Sequence, residues 1–513
     1  MRSRRHELAA WACTLIAAAV LGGEVYAQRH NTLRENGRWT SAKAALGKGV
    51  MGAAAYMTTR VALAERRLDL GAWWGFQEIL YREPIELERA DFDLSVPDGA
   101  YVIVVAEAGE TGFLGIRLSR RADHPSMVFE ADGSGRFLAQ RPLAVALAGR
   151  DRHHVGLASG TDGVTLDVDG RAVPVRPEPL RPGRFGFRGG CASAAVDDVV
   201  IRARGAAGPI HERFGPAAVR RTAVPAAAAL AGLVNLLLGA AIRRREERWL
   251  LVLALANGAA AVAFAVVLVL DARWLAGRYP LPTERVDERG FENRLEDAPA
   301  VRERLRRTYP TPTPAGTVRV LFLGTSQTWG AGARSEDETF VSLLERRLAA
   351  RLGPDRRVEC VNAGVPGTTA GWVVQYYQAD WLPLQPQLVV ADLSNNDANP
   401  QALARALEHL VRLNRARGIA TLFVEEPNSP ECPMQGIEER HRVMRETGTR
   451  LGVQAVPLHA LLAARSHEGL LWWDFVHPTS FGHQAIADLL EAPILEELVR
   501  IGIAAPPARD RSS

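Results

Sequence analysis

Three stretches of the chain contain apolar residues without any interruption by charge. Residues 8–23 follow a basic start, which is typical of a signal peptide or a signal-anchor helix within residues 1–27. Residues 222–242 and 249–270 also lack charged side chains, and each is long enough to cross about 30 Å of hydrocarbon as a helix. The pattern therefore predicts one N-terminal membrane segment and two internal transmembrane helices.

The short connector between the two internal segments, residues 243–248, is rich in arginine. A basic turn of this kind belongs in the cytoplasm by the positive-inside rule. If the basic N-terminus is also cytoplasmic, residues 28–221 and the chain beyond residue 270 lie together on the other side. We expect a multi-pass protein of a bacterial cell membrane, with both soluble regions on the outer, periplasmic or extracellular, side.

Short alternating runs of apolar and polar residues fill residues 84–204, separated by Asp, Gly and Pro. Residues 164–173 have the pattern of a hairpin in which Asp169-Gly170 supplies a turn with positive φ. Many short strands at regular spacing predict an antiparallel β-sandwich. The final strands resemble those of concanavalin-like, laminin-G-like jelly rolls. Residues 28–83 are mixed and partly helical, and their pattern indicates no chemistry.

A charged, proline-containing stretch over residues 271–315 is typical of an extended linker. Beyond it, strand patterns alternate with helical ones; the strand patterns cover residues 318–323, 358–362, 388–393 and 420–424, and the helical ones include residues 340–352 and 401–417. Such alternation predicts a parallel sheet. The domain extends over residues 316–503, and residues 504–513 form a tail.

Composition narrows the classes of function. The length of 513 residues predicts about three folded units, and a formal net charge of +4 is too small for this length to indicate a nucleic-acid partner. We predict no metal and no cofactor, because no ligand cluster accompanies the polar motifs. The oligomeric state stays open.

The cysteines have no framework spacing; they are Cys13, Cys191, Cys360 and Cys432. Cys360 and Cys432 belong to the same predicted domain on the oxidising side of the membrane. A disulfide between them and two buried free thiols are both open, and we favour the thiols.

Residues able to carry chemistry follow the predicted strands. Ser326 lies in a Gly-rich turn directly after the first strand, where α/β folds present a nucleophile. Gly364 occupies a second such turn, and residues 394–397 follow the third strand. Near the end of the domain, Asp474 and His477 are three residues apart. This spacing lets the carboxylate orient the site while the imidazole reaches the serine.

Four blocks of the C-terminal domain resemble, in order and approximate spacing, those of the SGNH (GDSL-like) hydrolases. They are Gly324-Thr325-Ser326, Gly364, Ser394-Asn395-Asn396-Asp397 and Asp474-Phe475-Val476-His477-Pro478. The resemblance implies a three-layer, flavodoxin-like α/β domain. It also implies Ser326 as nucleophile, His477 as general base and Asp474 as its partner. The oxyanion hole would consist of the backbone N–H groups of Ser326 and Gly364 and the Asn396 amide.

Two positions depart from the family pattern. The usual Gly-Asp-Ser is Gly-Thr-Ser here, and the usual Gly-x-Asn-Asp begins with Ser394. Neither departure removes a reacting group, but the loops around the nucleophile must be supported differently.

The predicted function is that of a membrane-anchored, outward-facing enzyme that cleaves O-acyl esters, with an acetyl or other short acyl group carried by a glycan or a lipid. An O-acyltransferase acting on envelope polysaccharide with the same triad is the first alternative. A non-catalytic glycan-binding or scaffolding protein is the second, which the intact Ser, Asn, Asp and His disfavour.

Overall fold

The computed structural model describes residues 39–41, 67–70, 78–212 except 146, 148 and 193, six single positions between 237 and 259, and residues 298–504. The predicted segments 1–27, 222–242 and 249–270 therefore lie outside the described residues, apart from those single positions. Within the part of the chain that is described, no helix combines the length and the apolar character that a membrane crossing needs.

The N-terminal region is an antiparallel β-sandwich, as predicted. Its strands are β1 (Trp39–Ser41), β2 (Leu68–Asp69), β3 (Glu78–Tyr81), β4 (Leu87–Ser95), β5 (Tyr101–Ala108), β6 (Gly112–Ser119), β7 (Met127–Asp132), β8 (Phe137–Pro142), β9 (Arg152–Gly160), β10 (Gly163–Val168), β11 (Arg171–Arg176), β12 (Arg184–Gly189), β13 (Ala195–Ala203) and β14 (Ile210–Glu212). One sheet has the order β1-β3-β12-β5-β6-β7-β8 and the other β11-β10-β9-β4-β13-β14, with β2 beside β13. The finer likeness to jelly rolls stays a prediction.

The predicted hairpin is confirmed. Strands β10 and β11 pair with Val168 opposite Arg171, and Asp169 and Gly170 both have positive φ, 55° and 84°. Two such residues form the turn type whose twist matches that of the flanking strands.

The sandwich extends beyond the predicted range of residues 84–204. Strands β1, β2 and β3 come from the segment predicted as mixed and partly helical, and β14 follows residue 204. Three of these strands have only two or three residues, which is too short to show an alternating pattern. Each of these short strands is positioned by pairing with a longer one. Strand β1 pairs with β3, and β2 and β14 both pair with β13.

The C-terminal region is a parallel α/β domain, as predicted. Its strands are β15 (Thr317–Gly324), β16 (Arg357–Gly364), β17 (Leu388–Asp392), β18 (Ala420–Val424) and β19 (Ala455–Val456), and its α-helices are α1 (Ala298–Thr308), α2 (Ser326–Trp329), α3 (Phe340–Leu352), α4 (Ala370–Asp380), α5 (Pro400–Arg415), α6 (Ile437–Leu451), α7 (Leu458–Ala464) and α8 (Ser480–Arg500). The strand order is β16-β15-β17-β18-β19, the flavodoxin-like order. Helices cover both faces of this sheet, so the domain has three layers.

Helix α1 lies inside the stretch predicted as an extended linker. Its buried residues Val301 and Leu305 are four positions apart and pack into the core on one face of the sheet. One helical face is therefore apolar although the segment as a whole is charged. The end of the predicted linker is in fact part of the α/β domain.

The sandwich packs directly against the α/β domain. Along β5 the side chains of Val102 and Val104 point into the sandwich core, whereas Ile103 and Val105 join a second core that includes Trp472. The Arg188 guanidinium donates to the Trp472 carbonyl at 2.7 Å. The uninterrupted apolar run of β5 therefore reflects a strand that is buried on both faces.

A disulfide between Cys191 and Cys432 links the two domains, with a Cα–Cα distance of 5.6 Å. The predicted alternative of a Cys360–Cys432 bridge is therefore wrong, and so is the expectation of a free thiol at Cys432. Cys360 is a buried free thiol, as favoured. Pairing depended on domain packing, which cysteine spacing does not encode.

Candidate active site

Ser326 occupies the turn at the carboxyl end of the first strand of the parallel sheet. Strand β15 ends at Gly324, Thr325 follows in extended conformation, and Ser326 is the first residue of helix α2. The first N–H groups of a helix have no acceptor within it, so they face whatever lies before the helix. This placement sets the Ser326 backbone N–H and its hydroxyl at the same edge of the sheet.

Asp474 and His477 lie on a loop before helix α8 rather than on a helical turn. The His477 Nε2 atom is 2.8 Å from Ser326 Oγ, and its Nδ1 atom is 2.8 Å from Asp474 Oδ2. The other carboxylate oxygen, Oδ1, accepts from the backbone N–H groups of Val476 and His477 at 2.8 and 2.7 Å. Asp474 is fully buried, and these bonds fix both the carboxylate and the imidazole ring.

Gly364 lies beside the serine turn. In the parallel register it is opposite Gly324, and a side chain at Gly364 would overlap the backbone N of Trp329 in helix α2. Its N–H donates to Asn362 Oδ1 at 3.1 Å, a contact that sequence reasoning missed. The predicted donor therefore has a protein acceptor in this structure.

Asn396 is exposed on the loop after strand β17. Its amide donates to the Thr368 carbonyl at 2.9 Å, which uses one of its two N–H bonds. The loop is anchored behind it, since the Asp397 carboxylate accepts from the Ala370 N–H at the start of helix α4. The predicted oxyanion contact would use the other N–H of this amide.

We expect Gly364→Ala to lower kcat by about 100-fold or more, because the added methyl group displaces the backbone of helix α2 and misplaces Ser326. Gly371→Ala is the matched control: it lies in helix α4, where the nearest atom to a new methyl group is 4.0 Å away. Ester-hydrolysis kinetics on both variants measure the difference. Equal activity of the two would contradict a tight contact at Gly364.

Sequence reasoning missed a pair of buried carboxyl groups beneath the serine turn, Asp392 and Glu426, which are 2% and 0% exposed. Asp392 accepts from the Thr328 hydroxyl at 2.7 Å, and Glu426 accepts from the Thr325 hydroxyl. Burial raises the pKa of both groups, and repulsion from Asp392 raises that of Glu426 further. The available signal was the acidic pair Glu425-Glu426, directly after a buried strand.

These raised pKa values predict a dependence of stability on pH. The folded protein retains a proton on this pair that the unfolded chain releases above about pH 4. The free energy of unfolding therefore falls as pH rises toward neutrality, by up to about 1.4 kcal/mol per pH unit for one proton. Denaturant unfolding between pH 5 and 8 should show a shallower slope for Asp392→Asn than for the wild type. Parallel slopes would mean that Asp392 does not raise the number of protons that the folded protein holds in this range of pH.

Gln327, the residue after the serine, connects helix α2 to the loop that carries Asp474 and His477. Its side-chain amide donates to the Val476 carbonyl at 2.7 Å and to Asn428 Oδ1 at 3.1 Å. Gln327 is fully buried. The two halves of the site are thus held together by a buried polar contact as well as by the Ser326–His477 contact.

A flavodoxin-like sheet that brings a serine, a histidine and an aspartate into contact at its carboxyl edge is typical of hydrolases with a serine nucleophile. The family model described as GDSL-like Lipase/Acylhydrolase family matches residues 322–485. The match confirms the predicted resemblance of the C-terminal domain to this family. It also confirms the prediction that the protein is an ester-hydrolysing enzyme.

Several solved structures are similar to part of the chain. LAE5, an alpha/beta hydrolase from the metagenome of Lake Arreo, Spain, is 21% identical over 37% of this chain and 97% of its own, with a TM-score of 0.30. The acetyl xylan esterase AlAXEase is 18% identical over 34% and 100%, with a TM-score of 0.31. A lipase/acylhydrolase from Enterococcus faecalis is 21% identical over 34% and 95%, with a TM-score of 0.31. Among curated proteins, none matches.

Proposed function

We propose that this protein is a membrane-anchored, outward-facing serine hydrolase that cleaves O-acyl esters. The observation that carries the hydrolase assignment is the continuous series of contacts from Ser326 Oγ to His477 Nε2 and from His477 Nδ1 to Asp474 Oδ2, each at 2.8 Å. Such a series activates a hydroxyl that is otherwise a weak nucleophile.

In the proposed reaction, Ser326 Oγ attacks the ester carbonyl while His477 Nε2 takes the hydroxyl proton. The protonated imidazole then gives that proton to the leaving alcohol, which leaves an acyl group on Ser326. Water, deprotonated by His477, releases the acid and restores the serine. Asp474 keeps the imidazole oriented and stabilises its charged form throughout.

The negative charge on the carbonyl oxygen would be held by the Ser326 and Gly364 backbone N–H groups and the Asn396 amide. Gly364 donates to Asn362 in the structure, so its N–H must be shared with, or turned toward, the substrate oxygen. One such donor contributes about 3 kcal/mol to stabilising the transition state.

We propose an acetyl or other short acyl group, carried by a glycan or a lipid. The buried Trp473 ring lies beside the proposed base, with its centroid 6.3 Å from that of the His477 ring. Transfer of the acyl group to a sugar hydroxyl requires the same three residues, with the sugar in place of water.

The membrane anchor is proposed from the charge-free residues 222–242 and 249–270 and the arginine-rich connector between them. The Cys191–Cys432 disulfide supports an outward orientation, because such bonds persist on the oxidising side of a bacterial membrane.

Labelling with a membrane-impermeant thiol reagent tests this orientation. We expect Gly290→Cys to be modified in intact cells and Glu246→Cys to be modified only after the cells are opened. The reverse result would overturn the proposed topology.

A serine-directed fluorophosphonate probe tests the chemistry. We expect it to label the full-length wild type and not Ser326→Ala. Short-chain aryl esters and acetylated glycans, each assayed with and without sugar acceptors, then separate hydrolysis from transfer. Labelling of both proteins alike, together with no ester turnover, would overturn the hydrolase assignment.

A further inference from the structure

The carboxyl group of Glu426 joins the two loops that carry the proposed nucleophile and an oxyanion donor. Glu426 lies just after strand β18 and is fully buried. One of its oxygens accepts from the Thr325 hydroxyl, and the other accepts from the backbone N–H groups of Ser394 and Asn395. A single side chain therefore satisfies donors from two different strand ends.

Both loops place a reacting group next to these bonds. Thr325 immediately precedes Ser326, and Asn395 immediately precedes Asn396. A shift of the Glu426 carboxyl would therefore displace the nucleophile and the Asn396 amide relative to each other. Displacements of about 1 Å in a reacting constellation lower rates by about 100-fold.

The two departures from the GDSL-like pattern meet at this same carboxyl group. Thr325 supplies a hydroxyl that donates to it. The Ser394 hydroxyl accepts from the Glu426 backbone N–H at 3.3 Å and lies 3.4 Å from its carboxylate. These contacts support the two loops that contain Thr325 and Ser394.

We propose that Glu426 is a positioning residue that holds the Ser326 turn and the Asn396 loop in one geometry, so that nucleophile and oxyanion donor meet the ester together. This inference rests on the proposed hydrolase function. Glu426 acts through Thr325, Ser394 and Asn395 and does not itself touch the ester. Its removal is therefore expected to change kcat more than KM, because preorganised donors act mainly in the transition state.

The neighbouring residue provides a matched control. Glu425 is equally buried, at 2% exposure, and lies at the same end of strand β18. Its carboxylate forms an ion pair with Arg445 and lies 3.8 Å from His441. Both partners belong to helix α6 and not to the loops that carry Ser326 and Asn396. Loss of either glutamate removes a buried acceptor, but only one of them contacts the active-site loops.

The experiment compares Glu426→Ala, Glu426→Gln and Glu425→Ala in the full-length protein, with thermal unfolding measured beside ester kinetics. We expect Glu426→Ala to lower kcat about 100-fold with KM changed less than about threefold. Glu426→Gln keeps an acceptor for the two backbone N–H groups and should recover to within about tenfold of the wild type. Glu425→Ala should lose stability and retain kcat within about threefold.

If Glu426→Ala does not fold, Thr325→Val tests the same link, since it removes only the hydroxyl that reaches Glu426. We expect it to lower kcat about tenfold at unchanged KM. The inference is overturned if Glu426→Ala and Glu425→Ala lose kcat equally, if glutamine is no better than alanine, or if Thr325→Val keeps full kcat. Failure of the hydrolase function itself is distinct, because the wild type would then turn over esters no faster than Ser326→Ala.

Discussion

Ser326→Ala is expected to lower kcat/KM for ester hydrolysis by about 10⁴-fold or more, while the protein still folds. The serine hydroxyl lies 2.8 Å from His477 Nε2, the atom that takes its proton in the proposed reaction. Without it no acyl-enzyme can form, and the remaining rate comes only from water attack on a bound ester.

His477→Ala should cause a loss of similar size, and the double variant should be no worse than either single one, because both residues act in one step. Asp474→Asn should cost less than either, since serine and histidine can still meet when the ring is less well oriented. His409→Ala on helix α5 is the control, because this partly exposed histidine bonds to the Arg412 side chain of the same helix.

Initial rates on a short-chain aryl ester, with circular dichroism to verify folding, give these comparisons. Additive losses for Ser326→Ala and His477→Ala would show that the two residues do not share a step. A fully active Ser326→Ala protein would end the assignment of the nucleophile.

Removing the interdomain disulfide has the second large expected effect. Cys191 and Cys432 are separated by 241 residues in sequence, and cross-links over long loops constrain the unfolded chain most. On the chain-entropy model, Cys191→Ser combined with Cys432→Ser should lower the free energy of unfolding by up to about 5 kcal/mol. Denaturant unfolding with and without a reductant measures this loss.

Cys360→Ala is the control for this experiment, because Cys360 is a buried free thiol. Its stability should respond to the reductant as the wild type does, whereas the double serine variant should not respond. An unfolded wild-type chain that exposes a titratable thiol at Cys191 before reduction would contradict the bridge.

Much of the fold followed from local patterns in the sequence. The Asp169-Gly170 turn, strands of period two and the alternation of strands with helices were predictable because each depends on neighbouring residues. Ser326 could be proposed because it directly follows the first strand of a parallel sheet, where such folds place reacting groups. The full set of Ser326, Asp474 and His477 was implied by the resemblance to the SGNH hydrolases. The structure brings these three side chains into contact, and their catalytic roles stay a proposal.

Other features were decided only by the tertiary structure. Cysteine spacing did not identify the Cys191–Cys432 pair, because the pairing depends on how the sandwich packs against the α/β domain. Helix α1 was hidden in a charged stretch, since its stability comes from one apolar face against the sheet. Glu426 was one acidic residue after a strand until folding surrounded it with Thr325, Ser394 and Asn395, because what a buried carboxyl does is set by the donors it meets in three dimensions.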